Sequence, residues 1–212
     1  MKIIAKTIIA LIFISPVLFS QGFKVKATGV QKFSFKDNNG RSQATFFSTT
    51  PLEDVKGLTT DINGSVTFDV NNFASTLAGE ITIPVSSLKT GIKKRDKDLR
   101  GSGWLDEDKY PAISFKIKKV NKIENLADNK IKAEITGDFK VHGVSKEIVV
   151  ETILTYLDEN ELTRQRAPGD LLGVIANFTI TLSDFGIDNI VLGKRVSDKI
   201  KIGVNFVGSN KQ

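Results

Sequence analysis

Apolar and polar positions alternate with period two along most of the chain. "SVTFDV" turns Val66, Phe68 and Val70 to one face and Ser65, Thr67 and Asp69 to the other. "EITIPV" repeats the pattern with Ile81, Ile83 and Val85, and "ISFKIK" sets Ile113, Phe115 and Ile117 against Ser114, Lys116 and Lys118. One phase runs through "KIKAEITGDFKV" from Ile131 and Ile135 to Phe139 and Val141. "VIANFTITL" contributes Val174, Ala176, Phe178, Ile180 and Leu182, and "KIKIGVNF" contributes Ile200, Ile202, Val204 and Phe206. Such alternation predicts half-buried antiparallel strands. Phe33, Phe35, Phe46 and Phe47 fall in shorter strand candidates around the polar turn "DNNG". "KEIVVETILTYL" is apolar on both faces, which predicts a strand covered on its outer side too. The total is about eight strands with no long amphipathic helix, an all-β fold.

The phase of the alternation restricts the architecture. The outward positions carry lysine, threonine and aspartate, the reverse of a transmembrane barrel with its apolar outside and polar lumen. The polar face therefore meets water and the apolar face points inward, which fits a sandwich or a closed barrel. Eight strands closed on themselves leave an interior that side chains just fill, or that holds one small ligand.

Composition adds a compartment. Lys2 and Lys6 precede an apolar run from Ile8 to Phe19, and Ser20 offers a small residue just ahead of Gln21. This order of charge, short apolar core and small residue predicts a cleaved secretory signal peptide over residues 1–20. The remainder, 21–212, is long enough for one all-β domain. The apolar run is too short for a comfortable membrane span, and no later stretch approaches one, so no integral span is expected after cleavage. The chain has no cysteine; bacterial lipoprotein attachment is excluded, and stability must come from a core rather than from disulfides. The expected location is periplasmic or secreted.

The net charge of +6 overstates the basic character. Cleavage would remove two lysines and no acids, leaving 28 basic against 24 acidic residues on a mixed surface. Nucleic-acid binding asks for a concentrated basic face, and none is evident. Fourteen phenylalanines against one tryptophan and two tyrosines suit an apolar interior.

No catalytic constellation is legible. His142, the lone histidine, lies in the turn-like "VHGVSK" and cannot build an ordinary zinc site without cysteine partners. Asp106, Glu107 and Asp108 are consecutive, whereas glycosidase carboxylates face a substrate from two sides and calcium loops space their acids around a glycine. The residues predict no enzyme, and no metal, nucleotide or covalent cofactor.

Residues 86–112 form a long connection between strands, and such connections tend to be functional or to carry structure of their own. Lys93 to Arg100 is expected to form two helical turns, with Asp96 and Arg100 spaced to pair. Gly101 and Gly103 then end the helix, and Trp104-Leu105 anchors the chain back onto apolar surface. The segment reads as a clasp.

"SLKTGIKKRDKDLRGSGWLDEDKYPAISFK" resembles the signature segment of the YceI-like family, exported bacterial proteins with a lipocalin-like antiparallel barrel. The matching positions are Thr90-Gly91, Arg95-Asp96, Leu99-Arg100, Trp104-Leu105-Asp106 and Lys109-Tyr110-Pro111. "ITGDFKVHGVSKEIVV" and "ITLSDFGIDNIVLGKRVSDKIKIGV" are similar to the family's hairpin and its closing segment. Many members carry histidine where Asp98 stands. The resemblance implies an eight-stranded lipocalin-like barrel whose long clasp loop contains a short helix. It implies a binding protein for an isoprenoid or other fatty-chain lipid, and it admits a homodimer without marking a dimer face.

On that basis Phe68, Ile83, Phe115, Phe139, Phe178, Ile180 and Val204 are expected to line the interior. Arg95, Asp96, Arg100, Trp104 and Tyr110 are expected in the clasp or at a headgroup, with Arg95 and Asp96 as a structural pair. Two other readings compete: a structural or stress-response barrel with a filled core, acting through protein contacts, and an enzyme using the acidic run. Periodicity marks which side chains point inward but does not show whether they meet.

Overall fold

The computed structural model describes residues 22–37 and 39–211; the expected signal peptide lies outside them. Ten ladder segments make up the sheet: β1 (Val30–Ser34), β2 (Gln43–Ser48), β3 (Val55–Thr59), β4 (Asn63–Asp69), β5 (Ala78–Pro84), β6 (Ala112–Ala127), β7 (Lys130–Val141), β8 (Val144–Leu157), β9 (Leu171–Thr181) and β10 (Lys199–Ser209). All pairings between them are antiparallel. The order β1-β4-β5-β6-β7-β8-β9-β10 returns to β1 through Ser34 and Ser209. Higher up, the same β10 pairs with β2 from Asn205–Gln43 to Lys201–Phe47. Thus β1 and β2 share one position in the wall and β3 and β4 another, and the ten segments form a closed eight-stranded barrel.

The interruption between β1 and β2 is built around one carboxylate. Asp37 accepts hydrogen bonds from the N–H groups of Asn39 (3.0 Å), Arg41 (2.9 Å) and Ser42 (3.1 Å), and the Arg166 guanidinium lies 3.1 Å away. A loop whose backbone donors are satisfied in this way can leave the ladder and rejoin it without stranding polar groups.

Antiparallel connections divide between two rims. One rim carries residues 22–29, the short helix α1 (Phe73–Thr76), the β6–β7 turn and the β8–β9 connection, which holds α3 (Glu161–Arg164). Here side chains close the barrel. Phe33 and Phe68 stack at 5.6 Å and 14°, Phe73 meets Phe68 edge-on at 5.0 Å, and Phe23 lies within 5.9 Å of Phe68, Phe73 and Tyr156. These are offset and edge-on contacts of the kind that gain energy beyond area burial. The Tyr156 hydroxyl donates to Asp170 at 2.6 Å; burial and that bond push its phenol pKa up. Phe23 is held in place by its neighbours: Lys24 N–H donates to the Asp128 carbonyl (2.6 Å) and Asn125 Nδ2 to the Gly22 carbonyl (3.0 Å).

The other rim carries the β2–β3 turn, the clasp between β5 and β6, the two-residue His142–Gly143 turn and the β9–β10 loop. His142 (φ 52°) and Gly143 (φ 76°) are both left-handed, as a tight hairpin turn of this type requires.

The outer face of β8 corrects the sequence reading. Val150, Thr152, Leu154 and Tyr156 point inward and are buried. Val149 is 57% exposed and Leu157 40%, and Ile175, which pairs with Ile153, is 48% exposed. These side chains stand about half open on the outer surface. Apolar residues on both faces marked a strand with a greasy exterior, not one buried twice.

Candidate functional site

Toward the clasp rim the barrel is hollow. An outer chamber of about 450 Å³ lies beneath the clasp, and an inner one of about 130 Å³ continues toward the aromatic plug. Ala44, Ile83, Ile113, Phe139 and Ile202 border both, so the two spaces adjoin across a waist of shared side chains. No ionisable side chain borders the inner chamber; its polar members are Ser114 and Thr152. The ionisable groups of the outer chamber are Arg95, Asp98 and Arg195, all at the rim.

The clasp roof folds as the sequence suggests and is locked by one threonine. Helix α2 spans Lys93–Arg100 and ends at Gly101. Asp96 Oδ1 accepts from both the Thr90 N–H and the Thr90 hydroxyl, each at 2.6 Å. The Thr90 hydroxyl, and after it the Thr90 N–H, hold the Asp96 carboxyl below its ordinary pKa. Arg95 Nε donates to Thr90 Oγ1 (3.1 Å) and Arg95 Nη1 to Glu53 (3.2 Å), tying α2 to the β2–β3 turn. Arg100 donates to the Ser86 carbonyl (2.7 Å) and lies 3.7 Å from Glu107. The expected Asp96–Arg100 pair does not form. The loop's own backbone and hydroxyl groups satisfy Asp96 at shorter range, and Ser86 and Glu107 take Arg100.

Past Gly101 the chain turns back on itself, and Leu99, Trp104 and Leu105 hang into the outer chamber. Asn189 Nδ2 donates to the Gly103 carbonyl at 2.9 Å, joining the clasp to the β9–β10 loop across the mouth. On the opposite wall the Phe46 ring lies flat over Gly57. A Cβ there would come within 2.1 Å of Cζ, so the glycine makes room for the ring that walls the chamber.

The expected interior residues divide by depth. Ile83 and Phe139 border both chambers, Phe115, Phe178 and Val204 the inner one, and Ile180 the outer. Phe68 borders neither. It is fully buried in the plug, because Phe23 from the N-terminal segment and Phe73 from α1 converge on it. Arg95 and Trp104 border the outer chamber, while Asp96 and Arg100 brace the clasp from outside it. Tyr110 stands apart from both chambers, packed edge-on to His142 at 4.9 Å and directly over Gly143.

Several residues outside the expected interior set also line the chambers: Ala44, Phe46, Ser48, Leu99, Arg195 and Ile202, the last already on the apolar phase of its strand. The phase Ala44-Phe46-Ser48 is visible in "QATFFS" once the first of the adjacent phenylalanines is taken as inward. The β9–β10 loop has no periodicity to follow. Ser48 is chemically distinct among these residues: it is 4% exposed, and its hydroxyl has no hydrogen-bond partner among the described residues.

Comparison with known proteins adds relatives to this geometry. A family model described as YceI-like domain matches residues 35–208. The Escherichia coli O157:H7 protein YceI is 33% identical over 127 residues, which make up 60% of this chain and 60% of that protein. The chain thus spans less than two thirds of the length of the curated relatives it matches. Burkholderia cenocepacia BcnA superposes with a TM-score of 0.63 at 20% identity, covering 81% of this chain and 99% of the other. A polyisoprenoid binding domain from Saccharophagus degradans, implicated in plant cell wall breakdown, gives 0.61 at 12% identity over 87% and 99%. At these identities the two structural matches establish the shared fold.

Proposed function

Because the chain belongs to the YceI-like family and its barrel is hollow beneath the clasp, we propose that it binds a long apolar chain, isoprenoid or fatty, inside the barrel. The observation that carries this reading is the pair of adjoining chambers, whose inner part has no ionisable lining. Apolar burial contributes about 0.8 kcal/mol per methylene-sized unit, so such a tube holds a chain without specific polar contacts, less the cost of ordering it. The hollow lies within the range of ligand pockets, roughly 300–1,000 Å³. The name of the Saccharophagus degradans domain supports an isoprenoid as the cargo.

In this reading the chain enters at the clasp and its tail points toward the aromatic plug. The protein is a carrier rather than an enzyme, since the ionisable groups at the mouth are engaged in the clasp or stand at its rim. It works outside the cytoplasm, residues 1–20 directing its export. A filled-core barrel acting through protein contacts is disfavoured by the chambers themselves. The test is mass spectrometry of the mature protein purified without detergent, first under native conditions and then after organic extraction. A stoichiometric long-chain species supports carriage and identifies the cargo. A bare mass that stays bare when lipid is supplied rejects it.

A further inference from the structure

Ser48 ends β2, one residue beyond the last β2–β10 pair, Phe47–Lys201. With Ala44 and Phe46 it lies on the inward phase of the strand, and it borders the outer chamber. Its hydroxyl is the sole side-chain polar atom among the described residues that is both buried and unpartnered. A buried hydroxyl without a partner is a cost that native proteins seldom carry without a reason. Serine has a single side-chain torsion with three staggered positions, so this hydroxyl can turn toward whatever occupies the chamber.

Three other polar side chains of the chamber lining, Thr90, Arg95 and Thr45, are already engaged. The Thr90 hydroxyl donates to Asp96 and accepts from Arg95. The Arg95 guanidinium serves Thr90 and Glu53. The Thr45 hydroxyl reaches the Gly203 carbonyl at 3.4 Å. Arg195 and Asp98, the ionisable groups of the lining without a side-chain partner among the described residues, stand exposed at the mouth, whereas Ser48 is buried. A carboxylate or phosphate brought there would lose its hydration with one hydroxyl in return, which is far too little to offset the loss. A neutral oxygen has a much smaller desolvation cost, and one hydrogen bond meets it.

We propose that Ser48 is the hydrogen-bonding contact for a single uncharged oxygen near the polar end of the bound chain. The ligand is therefore a long-chain alcohol, ketone or ester, not a hydrocarbon or a free acid. This rests on the lipid-binding reading above and adds to it a ligand class and a contact residue. Any charged group on the ligand stays outside the mouth, and the apolar remainder runs past the Phe139 waist.

Four probes of one carbon skeleton test this: farnesol, farnesyl acetate, farnesene and farnesoic acid, each titrated into full mature protein and followed by Trp104 emission. For the wild type, farnesol and farnesyl acetate should bind about three- to tenfold more tightly than farnesene, the worth of one net hydrogen bond. Ser48→Ala should erase that difference while leaving farnesene affinity unchanged, and should melt no lower than the wild type in the absence of ligand. Ser48→Thr, which keeps the hydroxyl, should keep the preference. If farnesol and farnesene bind the wild type equally, or the preference survives Ser48→Ala, Ser48 is not the contact. If farnesoic acid binds tightest, the neutral class is wrong. If none of the four binds the wild type, the lipid-binding reading itself falls.

Discussion

The two ends of this barrel are built from the same kinds of side chain and behave differently. At the closed end, phenylalanines from β1 and β4 meet others from the N-terminal segment and α1, and their rings touch at 5.0–5.9 Å. At the clasp end, phenylalanines from β7 and β9 point into the barrel just as Phe68 does, but nothing enters from outside to meet them all. Phe139 touches Phe178 and Phe185 edge-on, at 5.8 and 5.6 Å, and open space remains on its other side. An inward aromatic face therefore becomes core or cavity according to what the rim loops deliver to it. The rim with α1 delivers rings. The rim with α2 delivers a roof.

The sharpest way to test that contrast is to make the same substitution at both ends. Phe68→Ala should cost about 3–5 kcal/mol in chemical denaturation, the usual range for a ring lost from a filled core. Phe178→Ala, beside space that already exists, should cost at least about 1 kcal/mol less, because the cost depends on how much new void is left behind. Equal losses would mean the clasp end is as tightly packed as the plug.

Filling the waist probes the hollow directly. Ala44→Phe places a ring where the two chambers meet, and competition binding should show long-chain affinity falling at least about tenfold. Over-packing a well-filled site typically costs 1–3 kcal/mol, so a loss below about 1 kcal/mol would show that the ring found room. Unchanged affinity would mean the inner chamber is not used.

A smaller effect is expected from acid. The Asp96 carboxyl is held below its ordinary value of 3.8, first by the Thr90 hydroxyl and then by the Thr90 N–H. Its folded pKa is thus lower than its unfolded one. The stabilisation it gives the clasp is fully present above 3.8 and is lost as the pH falls through the lowered value. Ligand release measured by stopped flow should therefore accelerate below about pH 4, and Asp96→Asn should already release faster at neutral pH while flattening the acid limb. A release rate independent of both would separate the clasp from retention.

Much of the fold was legible because alternation is a local signal. The six clearest runs all became wall strands, and α2 occupies Lys93–Arg100 as expected. The division between plug and hollow was not legible. In "SVTFDV" and "ANFTIT" a phenylalanine points inward in the same way, and what separates Phe68 from Phe178 is the arrival of Phe23 from the N-terminal segment and of Phe73 from the short helix that follows β4. Charge spacing misled for a related reason: Asp96 and Arg100 are four apart on one helix, but partners outside the helix satisfy each of them better. Ser48 escaped because a serine at the end of a strand carries no pattern. Its meaning depends on what fails to reach it.

Trp104 allows the central claim, that the clasp end holds an apolar chain, to be tested most directly. It is the chain's only tryptophan, and it borders the outer chamber. Titrating ligand-free protein with farnesol while recording its emission should give a saturable blue shift at one equivalent, lost in Ala44→Phe. A spectrum that does not move, or that drifts without saturating and does so equally in Ala44→Phe, would contradict a chain seated beneath the clasp.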